Sequence, residues 1–582
     1  MQERRAGDSN FRHGFHPHFG VTGMGRSLRL TGTADSFSAM QIPSVRLTVL
    51  CLAGLLAQES VAQTTLPPKV RAAADDITAT RLAGDIGYLA SDALRGRFTF
   101  SPGLDSAAQF IIRRLVRAGL RPLGDDGTYR QHFVLRRGAA DTGAAFLEIR
   151  GRRFRFGDFV LLPFRRAVDT TASAVFVGYG SRIPSLKLDA YAGVDVKGKF
   201  ALAQLVAPAG VSLDSRPPDM EGPRVAAEHL GAAATLLIAT PSDLDQWTEF
   251  KIHSQYWSYL DWDHPPPWDA GPGIGTTILV KPDLVRVMLA DSAIAARILN
   301  HTPGTDFPAA FELGETITVH IPAVETRDTS YNLIAVIEGS DPNLRHEYVT
   351  IAAHLDGAFD TAVPGDSVFN AADDNASGSA AILAIAEQMM RAPHPRRSVV
   401  FIWDTGHEIG LFGSQEFVRR KTVPLQNIVA HFNVDMIGST AGPLDSIARP
   451  DFFEGLRIPA QPHEVFVIGP RILSTGLDSL VERTNRGYLN MRLNHKDDRP
   501  ESPFYYPRTD ARPFIEYGIP TIEFTTGLEW RYHRSNDETR YLDMNKIRDV
   551  SRTLMATVWQ VANARTRPVV DKGFPSRVPR LP

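Results

Sequence analysis

The chain has 582 residues, 43% of them hydrophobic, which is long for one ordinary domain and rich enough in apolar residues for well-packed cores. Its net charge of −2 and isoelectric point of about 6.8 lack the basic excess of a nucleic-acid binder. Forty prolines and 46 glycines point to a turn-rich enzyme rather than a fibrous protein.

Residues 1–39 are polar, rich in Gly, Arg and His and without periodicity, and read as a disordered extension. From Met40 the text becomes "MQIPSVRLTVLCLAGLLAQESVAQTT". Arg46 supplies a short positive region, Leu47–Ala57 an apolar run, and Ser60-Val61-Ala62 the small residues of a cleavage site. This is the pattern of a signal peptide over 40–62, too short to span a bilayer. A secreted or periplasmic protein, with no membrane attachment after signal removal, is expected; a buried core helix is the alternative. Cys51, the only cysteine, lies inside this run, and Thr48-Val49-Leu50 make a poor lipoprotein box. The mature chain then has no thiol, so any metal is held by His, Asp and Glu.

Residues 76–130 read as the N-terminal helical part of a catalytic domain, with "ADDITATRLAGDIGYLA" and "GLDSAAQFIIRRLVRAGL" both apolar at three- and four-residue spacing. Over 131–325 short alternating runs such as "SAVFVGYGS" predict a β-rich inserted domain with few helices. Its aromatic stretch Gln255–Asp269 reads either as packing in a proline-rich loop or as a lid over a side-chain pocket. From 326 to 565 the runs "YNLIAVIEG", "EYVTIAAHLD", "RSVVFIWDT", "NIVAHFNVDM", "HEVFVIG" and "IPTIEFTT" alternate with helical patterns. They predict an α/β three-layer sandwich with a mostly parallel central sheet. Residues 566–582 read as a tail.

The chemically hard residues follow the ends of those runs: His354 and Asp356, Asp373 and Asp374, His407 and Glu408, Asp435, then His533 and Asp537. A parallel sheet gathers strand C-termini at one crevice. Each residue has a plain alternative. Asp374 reads as a helix N-cap, Glu408 as a first-turn carboxylate, Asp435 as a turn residue. Together, two imidazoles and three carboxylates at one edge are costly unless cations compensate them. Oxygen and nitrogen ligands suit zinc, and less often cobalt or manganese.

The blocks "HLD", "ADDNASG", "EIGLFGS", "NVDM" and "YHRSNDET", in this order, resemble peptidase family M28, the dinuclear zinc aminopeptidases. "YLASDALRGRFTFSPGLDSAAQFI" looks like the family's N-terminal block, and "FVGYG" with "YAGVDVKGK" like its protease-associated (PA) insert. The resemblance covers 76–560 and implies a zinc-exopeptidase fold and an aminopeptidase acting on peptides through water activated by two divalent metal ions, most simply zinc. It implies that His354, Asp374, Glu408, Asp435 and His533 bind the metals, with Asp374 bridging. Asp356 would orient His354, and Asp537 would serve His533 in the same way. In the family the residue before the liganding glutamate is a general-base glutamate; here it is His407. His407 and Asp356 are therefore the catalytic candidates, with Glu408 gripping metal and His407 moving the proton. His407 also reads as a relic of an impaired site or as an extra ligand. The competing functions are a receptor-like binding homologue and a glutaminyl-cyclase-like enzyme with one zinc. At the place of Asp510, relatives commonly follow the aspartate with His; here Ala511 follows, and Asp510 is left as a pocket candidate. Oligomeric state is left open.

Overall fold

The computed structural model of the protein describes residues 65–580 apart from 163–166, 205–207, 209–210, 212–216, 218, 246, 254–255, 261–275, 290, 302–306, 359–367, 442–460, 503, 507, 577 and 579. The 1–39 extension, the 40–62 signal segment and Cys51 lie outside the described residues, as do Gln255 and the aromatic stretch from 261 onward.

The six apolar runs after residue 326 are strands: Ala323–Ile337, Tyr348–His354, Ser398–Asp404, Ile428–Val434, Glu464–Ile468 and Thr521–Thr525. From Tyr331 onward they are mostly apolar because both faces are covered. Leu333, Ala335, Val399, Phe401 and Trp403 pack on one side against the Gly378–Arg391 and Met544–Asn563 helices. Their neighbours Ile334, Val336, Val400 and Ile402 pack on the other against Phe417, Val418 and Phe514. Successive side chains on a strand face opposite ways, so each run feeds two cores.

In space the large sheet runs Tyr256–Leu260, Arg130–Ala140, Ala323–Ile337, Ser398–Asp404, Tyr348–His354, Ile428–Val434, Thr521–Thr525, Glu464–Ile468, Arg492–Asn494, and Arg121–Pro122 pairs with the 323–337 strand. The four central strands, 398–404 to 521–525, are mutually parallel. The pairings that flank them, with 323–337 and with 464–468, are antiparallel. The sheet is therefore mixed, and the expected parallel character belongs to its centre. Crossover helices join the central strands: Gly378–Arg391 precedes 398–404 and Phe412–Arg419 follows it.

Between the 130–140 and 323–337 strands lies a second, eight-stranded sheet ordered Arg152–Arg155, Phe146–Ile149, Phe311–Ile321, Val168–Phe176, Phe200–Gln204, Ala234–Ile238, Thr277–Val280, Phe159–Leu161. Helices Pro223–His229, Pro282–Met288 and Ser292–Leu299 accompany it, more than the sequence texture suggests. The sequence boundary at 131 cuts a strand that the structure keeps whole. Arg130–Ala140 pairs with Ala323–Ile337 along the large sheet, and Tyr256–Leu260 pairs with 135–139 at its edge. An alternating strand reads the same whichever sheet it joins, which is why the boundary falls inside it.

The N-terminal helices Pro68–Asp75, Ala79–Leu89 and Pro102–Ala118 share the core of the Gly378–Arg391 helix. Pro102–Ala118 starts with Ser101 accepting from the Leu104 N–H at 3.2 Å and ends at Gly119 in a left-handed conformation. Half-buried Arg114 ties this block down, donating to Glu387 at 2.6 Å and Asp85 at 2.7 Å. Among the described residues no helix is long and apolar enough to cross a membrane.

Gly378 opens the 378–391 helix where a Cβ would lie 2.3 Å from Asn375 Oδ1 and 2.5 Å from the Val434 carbonyl. Gly87, inside Ala79–Leu89, has nothing within 4 Å of such a Cβ. Chemical denaturation should separate them. Gly378→Ala is expected to cost about 1–3 kcal/mol by overpacking, whereas Gly87→Ala is expected to add about 0.5–1 kcal/mol by relieving helix entropy.

Candidate metal centre and active site

Parallel strands end at one edge, and the hard residues stand there. His354 is the last residue of its strand, Asp435 follows the 428–434 strand, and His407 and Glu408 follow the 398–404 strand. Asp374 does not cap the next helix, which begins at Gly378 without a side-chain cap bond. Its carboxylate is divided between two imidazoles: Oδ1 lies 3.2 Å from His354 Nε2, and Oδ2 lies 3.2 Å from His533 Nε2. Asp435 Oδ1 completes one side at 3.2 Å from His354 Nε2. Glu408 Oε2 completes the other at 3.0 Å from His533 Nε2. Two groups of one imidazole and two carboxylates thus share Asp374.

The backbone around these groups is bent in ways that side chains resist. Ala371, Leu411, Met436 and His533 have φ of 52°, 60°, 54° and 57°. Such left-handed residues cost roughly 1–3 kcal/mol each and gather at functional sites. The Asp374–Asn375 peptide is cis.

Supporting bonds differ from the expected ones at two positions. His354 Nδ1 bonds the backbone carbonyl of Asp356 at 3.0 Å, while the nearer Asp356 carboxylate oxygen stands 3.9 Å away. That carboxylate is turned to Thr99 Oγ1, which donates at 2.6 Å, and to the His407 N–H at 3.4 Å. The carbonyl fixes the His354 tautomer just as a carboxylate would. Asp537 accepts from the N–H groups of Asp373 and Asp374 at 2.9 and 3.1 Å, so it sets the Asp374 backbone. Asp373 in turn accepts from the Gly438 N–H at 2.7 Å and Ser439 Oγ at 2.5 Å.

Buried Arg97 reaches in from the N-terminal block. It donates to the carbonyls of Leu355 at 3.1 Å, Asn370 at 3.0 Å and Ala371 at 2.9 Å, and also to Leu89. It thereby clamps the segments beside His354 and Asp374. Burial lowers its pKa to about 10 against the pull of Asp537, Asp356, Asp374 and Glu408.

His407 lies flat on His354, with ring centroids 3.8 Å apart and planes at 5°. Its Nδ1 is 2.6 Å from Asp510 Oδ2. Burial opposes a charge on His407, but Asp510 outweighs it and lifts the imidazole to about 10. Burial likewise opposes a charge on His354 and His533, but the carboxylates around them lift His354 well above its usual value and His533 to about 10. Burial works to raise Asp374, and the bonds to His354 and His533 reverse this, holding it far below the carboxylate range. Asp404, whose two oxygens have no hydrogen-bond partner, is pushed well above that range by burial and by Asp510.

These residues fit divalent cations. Donor atoms of His354, Asp374 and Glu408 lie within 4.8 Å of one another, and so do those of His354, His407 and Asp435. Glu408 Oε1 is buried without a hydrogen-bond partner, an acceptor a cation satisfies. The donors are the oxygen and imidazole set that zinc accepts. A small cleft opens beside them, lined in part by Phe369, Ala371, Glu408, His533 and Arg534. A separate cluster of Asp478, Glu482 and His495 is already crossed by Arg471, 3.3 Å from Asp478 and 3.1 Å from Glu482.

The nine residues singled out at the run ends, His354, Asp356, Asp373, Asp374, His407, Glu408, Asp435, His533 and Asp537, come together at this edge. Sequence reasoning missed the bonds made by Arg97 and Thr99, and it gave Asp510 no partner. Asp510 and His407 are 103 positions apart, and no spacing rule connects them.

Residues 332–558 match the family model described as peptidase family M28. Over 242 residues the chain is 29% identical to a probable lipoprotein aminopeptidase of Mycobacterium tuberculosis, covering 41% of this chain and 43% of that protein. Over 261 residues it is 24% identical to a probable zinc metalloprotease of Leptosphaeria maculans, covering 41% of this chain and 58% of that one. The chain therefore spans about half the length of these relatives. Its fold is similar to that of an aminopeptidase from Aneurinibacillus sp. strain AM-1, with a TM-score of 0.53 and 17% identity over 88% of this chain and 99% of the other.

Metal loading should register as stability. Each site filled at free zinc 100 times its Kd is expected to add about 2.7 kcal/mol. Calorimetric titration of the chelator-stripped protein should show zinc binding, and Asp374→Ala should weaken it.

Proposed function

We propose, from the premise that residues 332–558 form a peptidase family M28 domain, that the protein is an exported metallo-aminopeptidase removing N-terminal residues from peptides. The observation that carries this reading is the sharing of Asp374, one carboxylate oxygen to each imidazole, with Asp435 and Glu408 completing the two sides. A single-metal cyclase has no use for both sides, and a binding homologue without metal has no reason to retain all five ligands. The relative named as a probable zinc metalloprotease supports zinc. Export rests on the 40–62 pattern, and the eight-stranded sheet is taken as the PA-like insert.

His354 and Asp435 would hold one cation, His533 and Glu408 the other, and Asp374 both. When bound, such a pair lowers the pKa of a shared water and polarises the scissile carbonyl. The chain's own contribution is then positional and acid–base. Asp537 and Arg97 hold the segment carrying Asp374 at the required spacing. His407, with Nδ1 engaged by Asp510, accepts the proton of the attacking water at Nε2 and returns it to the leaving amine nitrogen. With cations held by His354, Asp374 and Asp435 beside it, the His407 imidazolium would be disfavoured and the ring able to accept.

A panel of aminoacyl reporter substrates should be given to the zinc-loaded protein beside His407→Glu. Turnover by the natural protein that a chelator abolishes is the expected outcome. Turnover by His407→Glu alone would sink the peptidase reading and leave a binding homologue on a sound scaffold. A metal content near one per chain in the purified protein would favour the cyclase, and a content near zero the binding homologue.

A further inference from the structure

We infer that Asp510 is a positioning residue that acts through His407, fixing its tautomer and ring plane so that Nε2 is the nitrogen offered to the reacting groups; this rests on the reading of His407 as proton acceptor. The Asp510 side chain is 1% exposed. A carboxylate buried this deeply is costly unless paired, and its short bond is the 2.6 Å contact of Oδ2 with His407 Nδ1. An ionised carboxylate only accepts, so Nδ1 carries the hydrogen and the lone pair of the neutral ring sits on Nε2.

The rest of the surroundings hold this arrangement rigid. The His407 ring is stacked on His354 at 3.8 Å and 5°, which removes rotation about its plane. One His407 nitrogen lies within 4.8 Å of donor atoms on both His354 and Asp435; with Nδ1 engaged by Asp510, Nε2 is the nitrogen free to work there. Asp510 itself sits just before the Arg512–Glu516 helix. Its neighbour Thr509 Oγ1 accepts from Asn433 Nδ2 at 3.1 Å and from the Ala511 N–H at 3.2 Å. The turn is thus tied to the strand that leads into Asp435. A neutral imidazole has a single accepting nitrogen, and a fixed partner decides which one it is.

A double-mutant cycle on the zinc-loaded full chain tests this. Asp510→Asn in the natural protein is expected to lower kcat about 10–100-fold with little change in KM. In the His407→Glu background, where no tautomer needs fixing, most of that cost should disappear. Equal cost in both backgrounds would mean that Asp510 merely supports the turn, and would overturn the inference. A second readout needs neither activity nor a variant. In histidine-labelled protein, long-range ¹H–¹⁵N correlation reports which ring nitrogen of His407 carries the hydrogen. Protonated Nδ1 with bare Nε2 is expected in the zinc-loaded state; the reverse overturns the inference. If neither the natural protein nor His407→Glu turns over any substrate, the aminopeptidase reading fails while the tautomer still decides the role of Asp510.

Discussion

Negative charge buried where parallel strands end is the constraint that organises this molecule. Asp356, Asp373, Asp374, Asp404, Asp510, Glu523 and Asp537 are all buried near one sheet edge, with Asp435 and Glu408 beside them. The cationic groups among them are Arg97 and three imidazoles that burial disfavours as charges. Unpaired buried charge is too costly to persist. The site answers this in three ways: imidazoles drawn into protonation, carboxyls such as Asp404 and Glu523 pushed toward the neutral form by burial, and a residual acceptor, Glu408 Oε1, suited to a metal ion.

The scaffold serves that edge. The four central strands align their C-termini, and covering helices on both faces keep them apolar and fixed. The N-terminal block adds more than a layer of packing. From a left-handed turn it inserts Arg97 between the segments that carry His354 and Asp374, and Thr99 against Asp356. The candidate site is therefore braced by residues more than 250 positions upstream of the segments they hold. The eight-stranded sheet enters between two strands of the large sheet, so its chain ends are anchored by a long antiparallel pair.

His407 shows how one substitution changes the needs of its surroundings. A glutamate at that place has two equivalent oxygens and needs no tautomer. An imidazole has one accepting nitrogen, so which one faces the reaction matters. The short contact to Asp510 engages Nδ1, and the stack on His354 fixes the ring plane. Asp356 and Asp537 show the complementary point, since each supports the site through partners other than those first expected: a backbone carbonyl for His354, and two N–H groups for the Asp374 segment.

Periodicity alone was enough for the strands after residue 326 and for the Gly378–Arg391 helix, because residues buried on both faces must be apolar in unbroken runs. Motif order likewise singled out His354, Asp374, Glu408, Asp435 and His533, whose side chains the structure brings together, since they stand where strands stop. Strand direction was not legible. Antiparallel flanks and parallel centre bury the same residue types, so 323–337 and 464–468 look like their neighbours. The membership of 130–140 was hidden for the same reason: alternation reveals a covered face and not which sheet covers it. The Asp510–His407 contact, the Arg97 clamp and the turning of Asp356 toward Thr99 were decided by tertiary structure alone. They join positions 103 to 274 residues apart, and a hydrogen bond between distant residues leaves no mark on the local pattern of either.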